Sequence, residues 1–265
     1  YIIPDRKVSL ADVREGMRNH YEGTELSMTN DPGAGVYKVP YRWRPMTFKS
    51  EGREYFNERA IATQQTGFVL IAQMRSWLPD AVGGILWFGV DDANTAVLTP
   101  MYTSITEIPE CYRRGNGSMT EFSWTSAFWI HNWVANMAYN RYEPMIRDIR
   151  PVQKELEDSY VDLVKNTDAK ALELLKSSPA QATAYLTEVC GKVANEATAR
   201  WKKLGEYLLV KYMDGNVKKE KDGKFEENGY GQIVSPNFPG YSQEYYDQVA
   251  KSEEAKHLEV PKKDK

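Results

Sequence analysis

The chain has 265 residues, 42% of them apolar and 12% aromatic, including 7 Trp and 17 Tyr, which suffices for a sizeable core in one large domain or two ordinary ones. A net charge of −3 with pI near 5.8 and no basic stripe weighs against a strong nucleic-acid partner. No window approaches the ~20 apolar residues of a membrane helix, and Cys111 and Cys190 are too few for a disulfide framework or a metal cluster.

The opening, Tyr1-Ile-Ile-Pro-Asp-Arg-Lys7, has neither an initiator Met nor a signal peptide, so the chain is expected to be cut from a longer one. Ser9-Leu-Ala-Asp12 is a capping-box pattern with Asp in place of Glu, and Leu10, Val13 and Met17 follow at helical spacing. A short amphipathic helix over 9–22 is expected. Residues 28–45 are dense in turn formers and carry Tyr41-Arg-Trp-Arg-Pro45, a loop that either lines a site or packs over a sheet. Gly33-Ala-Gly35 lacks the context of a dinucleotide loop. Residues 46–57 predict a hairpin turning at Glu51-Gly52.

Two apolar runs come next, Gly67-Phe-Val-Leu-Ile-Ala-Gln73 and Gly84-Ile-Leu-Trp-Phe-Gly-Val90. Neither alternates with polar residues, so both read as strands buried on two faces. Such strands need a layer above and a layer below, supplied by the rest of the chain or by a partner outside it. Asp91-Asp-Ala-Asn94 reads as a turn in preference to a calcium loop, leading into a strand over 95–99. Residues 100–109 read as irregular, and Asn116-Gly-Ser118 as a turn that also fits a glycosylation sequon.

From Ser118 the pattern is helical. Phe122, Trp129, Ile130, Trp133, Val134 and Met137 share one face, expected to be core, with His131 and Asn132 off that stripe. Further helices are predicted over 148–165, 169–177, 179–190 and 193–213. Residues 216–227 form a solvated turn or hairpin, 228–241 a loop, 244–257 a surface helix and 262–265 a solvated tail. Three segments result: 1–117 with the sheet, 118–215 helical, and 216–265 loop-rich.

The chain has no Gly-x-Ser-x-Gly elbow, Walker loop, His-Glu-x-x-His or Cys-x-x-Cys. Cys111 and Cys190 read as ordinary thiols, and His20, His131 and His257 are too far apart in sequence to suggest a zinc set. No cofactor or metal is expected.

Several segments carry a resemblance: Asn57-Glu-Arg-Ala-Ile-Ala-Thr-Gln-Gln-Thr-Gly-Phe-Val-Leu-Ile-Ala-Gln-Met-Arg-Ser-Trp-Leu-Pro79, Gly83-Gly-Ile-Leu-Trp-Phe-Gly89, Thr99-Pro-Met-Tyr102, Ile108-Pro-Glu-Cys-Tyr112, Ser123-Trp-Thr-Ser-Ala-Phe-Trp129, Asp148-Ile-Arg150 and Tyr41-Arg-Trp-Arg-Pro45. Together they resemble the C-terminal half of secreted bacterial dipeptidases related to secernins, N-terminal-nucleophile (Ntn) hydrolases. The resemblance implies an α+β chain, the C-terminal part of an αββα sandwich with a largely helical C-terminal region. It also implies hydrolysis of dipeptides by an N-terminal Cys whose own α-amino group is the base, suited to that task by a pKa near neutrality. Neither thiol here matches the position of that Cys, so the nucleophile is expected in an upstream half and no catalytic residue is assigned.

What this half would contribute is scaffold and substrate contacts. Arg59 stands before the first central strand, Gln64 and Gln65 supply donors beside it, and Arg75 lies at its far end; a substrate carboxylate favours Arg. The alternative for each is a structural ion pair or a hydrogen-bonded strand end. Related acylases carry a supporting Arg, but one alignment puts Phe88 or Gly89 there. The implied partners are a dipeptide and the upstream half, with a homo-oligomer left open, and the implied location is secreted or periplasmic. The rival reading is a non-catalytic binding domain with an aromatic groove formed by Tyr41, Trp43 and Trp77.

Overall fold

The computed structural model describes residues 3–234 and 237–260, which form an α+β chain of two compact units, 1–208 and 209–265. The tail expected over 262–265 lies outside the described residues. Among the described residues no helix is long and apolar enough to cross a membrane.

In the first unit, α1 spans Leu10–Met17, starting at the capping box as expected but ending sooner. Ser9 accepts from the Asp12 backbone N–H while the Asp12 carboxylate accepts from the Ser9 N–H. The hairpin pairs β1 (Thr47–Ser50) with β2 (Arg53–Phe56). It turns where predicted, with φ of 50° at Glu51 and 76° at Gly52, the two positive values that match the twist of adjoining strands.

The central sheet is antiparallel, in the order β3 (Phe68–Met74), β4 (Gly84–Val90), β5 (Thr99–Tyr102), and the single turn α2 (Asp80–Gly83) leads into β4. Both apolar runs are strands, but β3 is not buried on two faces. Phe68, Leu70 and Met74 are 62%, 41% and 62% exposed. Register sets these side chains on the face of Leu86, Phe88 and Val90, all half-buried. The opposite face carries Val69, Ile85, Trp87 and Tyr102, all buried under α1 and the long helices. The β5 edge is closed by Cys190, whose sulfur accepts from the Tyr102 N–H at 3.3 Å and donates to the Pro100 carbonyl at 3.5 Å.

The strand expected over 95–99 begins only at Thr99. Residues 91–98 form a fully buried loop, and a buried loop must find partners for its backbone. It finds them in side chains. Gln153 donates to the Asn94 and Ala96 carbonyls, Arg150 to Asn94 and Arg18 to Ala96, while Glu157 accepts from the Leu98 N–H at 2.9 Å.

The helices are α3 (Ala127–Asn140), α4 (Tyr142–Ser177) and α5 (Pro179–Tyr212). α3 begins nine residues later than predicted, after a turn-rich segment in which Gly115 and Gly117 hold positive φ. Its buried face is Ala127, Ile130, His131, Val134, Ala135, Ala138 and Tyr139, rotated from the predicted tryptophan stripe. Alanines allow close approach there, while the Trp133 ring lies against Gly205 of α5, where a Cβ would meet it at 2.4 Å. His131 stacks on Trp201 at 5.0 Å.

Helices predicted over 148–165 and 169–177 are one. Their polar junction is held because Thr167 is buried and Asp168 is tied to Arg75 and Tyr102. Because α4 starts at Tyr142, six residues before the predicted helix, Pro151 sits inside it, where it removes one ladder hydrogen bond. The segments 179–190 and 193–213 likewise merge across Gly191, beside the buried Cys190.

The second unit holds the end of α5, the hairpin β6 (Glu220–Lys221) and β7 (Lys224–Phe225), and α6 (Gln243–Lys251). The hairpin matches the solvated one expected, and Ser242 caps α6 by accepting from the Tyr245 N–H at 3.3 Å. Lys211 reaches Glu220 at 2.9 Å.

Candidate functional site

Start of β3 and end of β4 lie at the same end of the sheet, and there the polar side chains gather. Tyr41 comes from the turn-rich loop and packs edge-on against Tyr139 of α3 at 4.8 Å. Its hydroxyl donates to Gln64 Oε1. Gln64 Nε2 donates to Asn136 Oδ1 at 2.9 Å, Asn136 Nδ2 to Asn132 Oδ1 at 3.0 Å, and Asn132 Nδ2 to Asp91 Oδ1 at 2.8 Å. Asn132 and Asn136 stand one helical turn apart on α3, so one face of that helix carries both links. Side-chain amides exchange protons poorly, so this chain of bonds serves to orient its ends.

One end is Asp91. It follows β4 directly with φ of 68°, a conformation that short polar side chains tolerate better than most. Its carboxyl is buried, and Oδ2 has no hydrogen-bond partner among the described residues. Burial pushes its pKa up to about 7, with the nearby Asp92 adding to the rise and the Asn132 hydrogen bond opposing it. A carboxyl so placed can hold or release a proton near neutral pH.

Behind it lies a second buried cluster. Tyr139 donates to Asp92 Oδ1 at 3.0 Å and lies 3.2 Å from His20 Nε2, while Tyr142 donates to Asn94 Oδ1 at 3.1 Å. Asp92 Oδ2 accepts from the Thr95 backbone and hydroxyl, which fixes the turn.

The other end of the chain, Tyr41, lines a cavity of about 520 Å³ between the loop and the β1–β2 hairpin. Trp43, Phe48, Tyr55 and Phe56 line it together with Tyr41, and Arg42 and Asp31, paired at 2.5 Å, are also part of its wall. Phe48 and Tyr55 stack at 5.3 Å across the hairpin. Such a cavity suits an apolar or aromatic group and has a polar handle in the Tyr41 hydroxyl.

Of the residues singled out in the sequence, Gln64 is the central link. Arg59 is half-buried nearby and donates to Thr63 Oγ1 at 3.0 Å, and Gln65 is exposed. Arg75 is at the opposite end of β3. It forms a bidentate pair with Asp168 and donates to the Val82 and Gly83 carbonyls, closing the turn between β3 and β4. Trp77 is 75% exposed at that far end and takes no part in the aromatic cavity, where Tyr41 and Trp43 do meet at 5.5 Å. Burial pushes the Cys190 thiol up to about 11 and raises Cys111 as well, opposite to an activated thiolate.

The sequence reading missed Asp91, Asn132, Asn136 and Tyr139 as a group. Three asparagines spaced four apart on one helix, Asn132, Asn136 and Asn140, and two aspartates directly after an apolar strand, were the available signals.

A family model, Peptidase family C69, matches residues 1–155. The chain belongs to this family. The matched region contains the cavity, the amide chain and Asp91, and stops inside α4. Among curated relatives, a probable dipeptidase of Latilactobacillus sakei is 28% identical over 197 residues, covering 73% of this chain and 36% of that protein. A probable dipeptidase B of Lactococcus lactis subsp. lactis (strain IL1403) is 27% identical over 208 residues, 77% of this chain and 38% of the other. Dipeptidase A of Lactobacillus helveticus is 23% identical over 158 residues, 59% and 27% respectively. The C69 chain described here thus spans little more than a third of the first two relatives.

Proposed function

We propose that this chain is the C-terminal portion of a cysteine-type dipeptidase whose nucleophile is an upstream N-terminal Cys. The observation that carries this reading is the open apolar face of the sheet at Phe68, Leu70 and Met74, in a chain whose match covers little more than a third of each of the first two dipeptidases. Apolar surface of that kind marks a contact in the complete molecule. In this reading the covering layer is the second sheet of an Ntn-type αββα sandwich, and the mature protein is secreted or periplasmic. The raised pKa values of Cys111 and Cys190 support a nucleophile elsewhere. Attack on the peptide carbonyl by the upstream Cys would give a thioester and release the C-terminal amino acid, and water would then hydrolyse the thioester. Tyr41 and Gln64 form the substrate-facing edge at the aromatic cavity, with Arg59 beside them for a carboxylate.

A second reading is a binding domain without catalysis. The aromatic cavity of Tyr41, Trp43, Phe48, Tyr55 and Phe56 favours it, since such a pocket needs no nucleophile.

The deciding experiment measures dipeptide hydrolysis by this chain alone, by the same chain joined to its upstream sequence, and by the longer form with the upstream Cys changed to Ala. Activity only in the unaltered longer form is the expected result. Activity of residues 1–265 alone would overturn it. Silence in all three, with an apolar dipeptide still binding, would favour the second reading.

A further inference from the structure

Two short pieces of chain wall the aromatic cavity, the loop over 31–43 and the β1–β2 hairpin. Polar bonds hold each wall in place. In the loop, the Val39 N–H donates to the Ala34 carbonyl at 2.9 Å, Arg42 pairs with Asp31, and the Tyr41 hydroxyl is fixed to Gln64. The hairpin is clipped to the loop at its base, where Asn57 Nδ2 donates to the Trp43 and Pro45 carbonyls at 2.7 and 2.6 Å.

The rings do not close on one another across the space. Phe48 stacks on Tyr55 within the hairpin, Tyr41 meets Trp43 within the loop, and no ring pair among the described residues joins the two walls. Trp43 and Phe56 are 60% and 70% exposed, and Phe48 and Tyr55 are exposed as well, so their surfaces are within reach of a molecule entering the cavity. Aromatic surface held open to water on a fixed frame gains stability when an apolar group covers it. The charged side chains in the lining are Asp31 and Arg42, and they pair with each other. An ionic group entering there finds no counter-charge among the described residues.

We propose that this cavity is the side-chain subsite for the dipeptide and takes a neutral aromatic or large aliphatic side chain, phenylalanine, tyrosine or leucine in kind. The inference rests on the dipeptidase reading and adds to it the class of substrate. A volume of about 520 Å³ lies within the range of ligand pockets and has room for such a side chain. A lysine or glutamate side chain would lose hydration there with no ion pair in return, and glycine would leave the rings uncovered. Through Tyr41 this wall is tied to Gln64 and so to the chain of amides, which keeps the subsite in fixed register with the polar end of the sheet.

The test is calorimetric binding to the longer form with its upstream Cys changed to Ala, which holds a peptide without turning it over. Glycyl-phenylalanine and phenylalanyl-glycine are compared with glycyl-glycine and with the two corresponding lysine peptides. At least one phenylalanine peptide is expected to bind about tenfold more tightly than the others, and Phe56→Ala or Trp43→Ala to weaken it by about tenfold. Both rings are mostly exposed, so both variants are expected to fold. Trp77→Ala, at the far end of the sheet, is expected to leave binding unchanged. Equal affinity for all the peptides, binding of none, tighter binding of a lysine peptide, or undiminished binding in both Phe56→Ala and Trp43→Ala would overturn the subsite. Hydrolysis by the unaltered longer form tests the underlying reading separately. Selective binding without hydrolysis would remove the peptidase and leave the subsite standing, whereas hydrolysis without selective binding would do the reverse.

Discussion

The two faces of the three-stranded sheet are built from similar residues and meet opposite fates. On one, Val69, Ile85, Trp87 and Tyr102 are buried under α1, α4 and α5. On the other, Phe68, Leu70 and Met74 remain exposed, although they alternate with the buried Val69 along the same strand, β3. Apolar composition on both sides of a strand calls for cover on both sides. This chain supplies one layer and leaves the other side open. The covered side is also where charge is buried, with Glu157 held between Arg18 and Arg14 and bound to the Leu98 N–H.

The contrast is sharpest at Glu157. Glu157→Ala strands two buried guanidinium groups and one backbone donor, and is expected to cost about 3–5 kcal/mol in urea unfolding. A loss below about 1 kcal/mol would mean that the charges beneath the helices are solvated. Next comes a direct comparison of the faces. Ile85→Ala is expected to cost about 2–5 kcal/mol, whereas Leu70→Ala in this chain alone is expected to cost less than about 1 kcal/mol. In the longer form Leu70→Ala should approach the cost of Ile85→Ala; equal, small costs in both forms would show that nothing packs on the open face.

Two buried titrating groups shift stability in opposite directions with pH. Asp91, pushed up to about 7 by burial, keeps a proton in the folded chain that the unfolded chain releases above about pH 4. Its contribution to stability therefore falls as pH rises from about 4 to 7, and Asp91→Asn should remove that slope. His131 is pushed down to about 3 by burial against Trp201, so its contribution is lost as pH falls from about 6.5 towards 3. His131→Gln should flatten that acid limb. Urea midpoints measured from pH 4 to 8 separate the two, and parallel profiles for Asp91→Asn and the parent would break the Asp91 assignment. The smallest effect is expected for Arg147→Ala, which breaks an exposed pair with Glu143 at 2.7 Å and should cost no more than about 0.5 kcal/mol.

What the sequence determined by itself was local. The Ser9–Asp12 capping box, the Glu51-Gly52 turn and the two central strands rest on neighbours within a few residues, and each formed as its pattern implied. The segments of family resemblance also followed from the residues alone. Tertiary structure decided the rest. Whether β3 is buried on both faces depends on a layer, not on its own seven residues. The strand expected at 95–99 yielded to a buried loop because α4 and Arg18 provide hydrogen bonds that a neighbouring strand would otherwise have given. The chain from Tyr41 to Asp91 joins Gln64 to Asn136 across 72 positions and Asn132 to Asp91 across 41. Contacts between single polar side chains so far apart leave no periodicity in a sequence, and only the packing of α3 against the end of the sheet brings them within reach of one another.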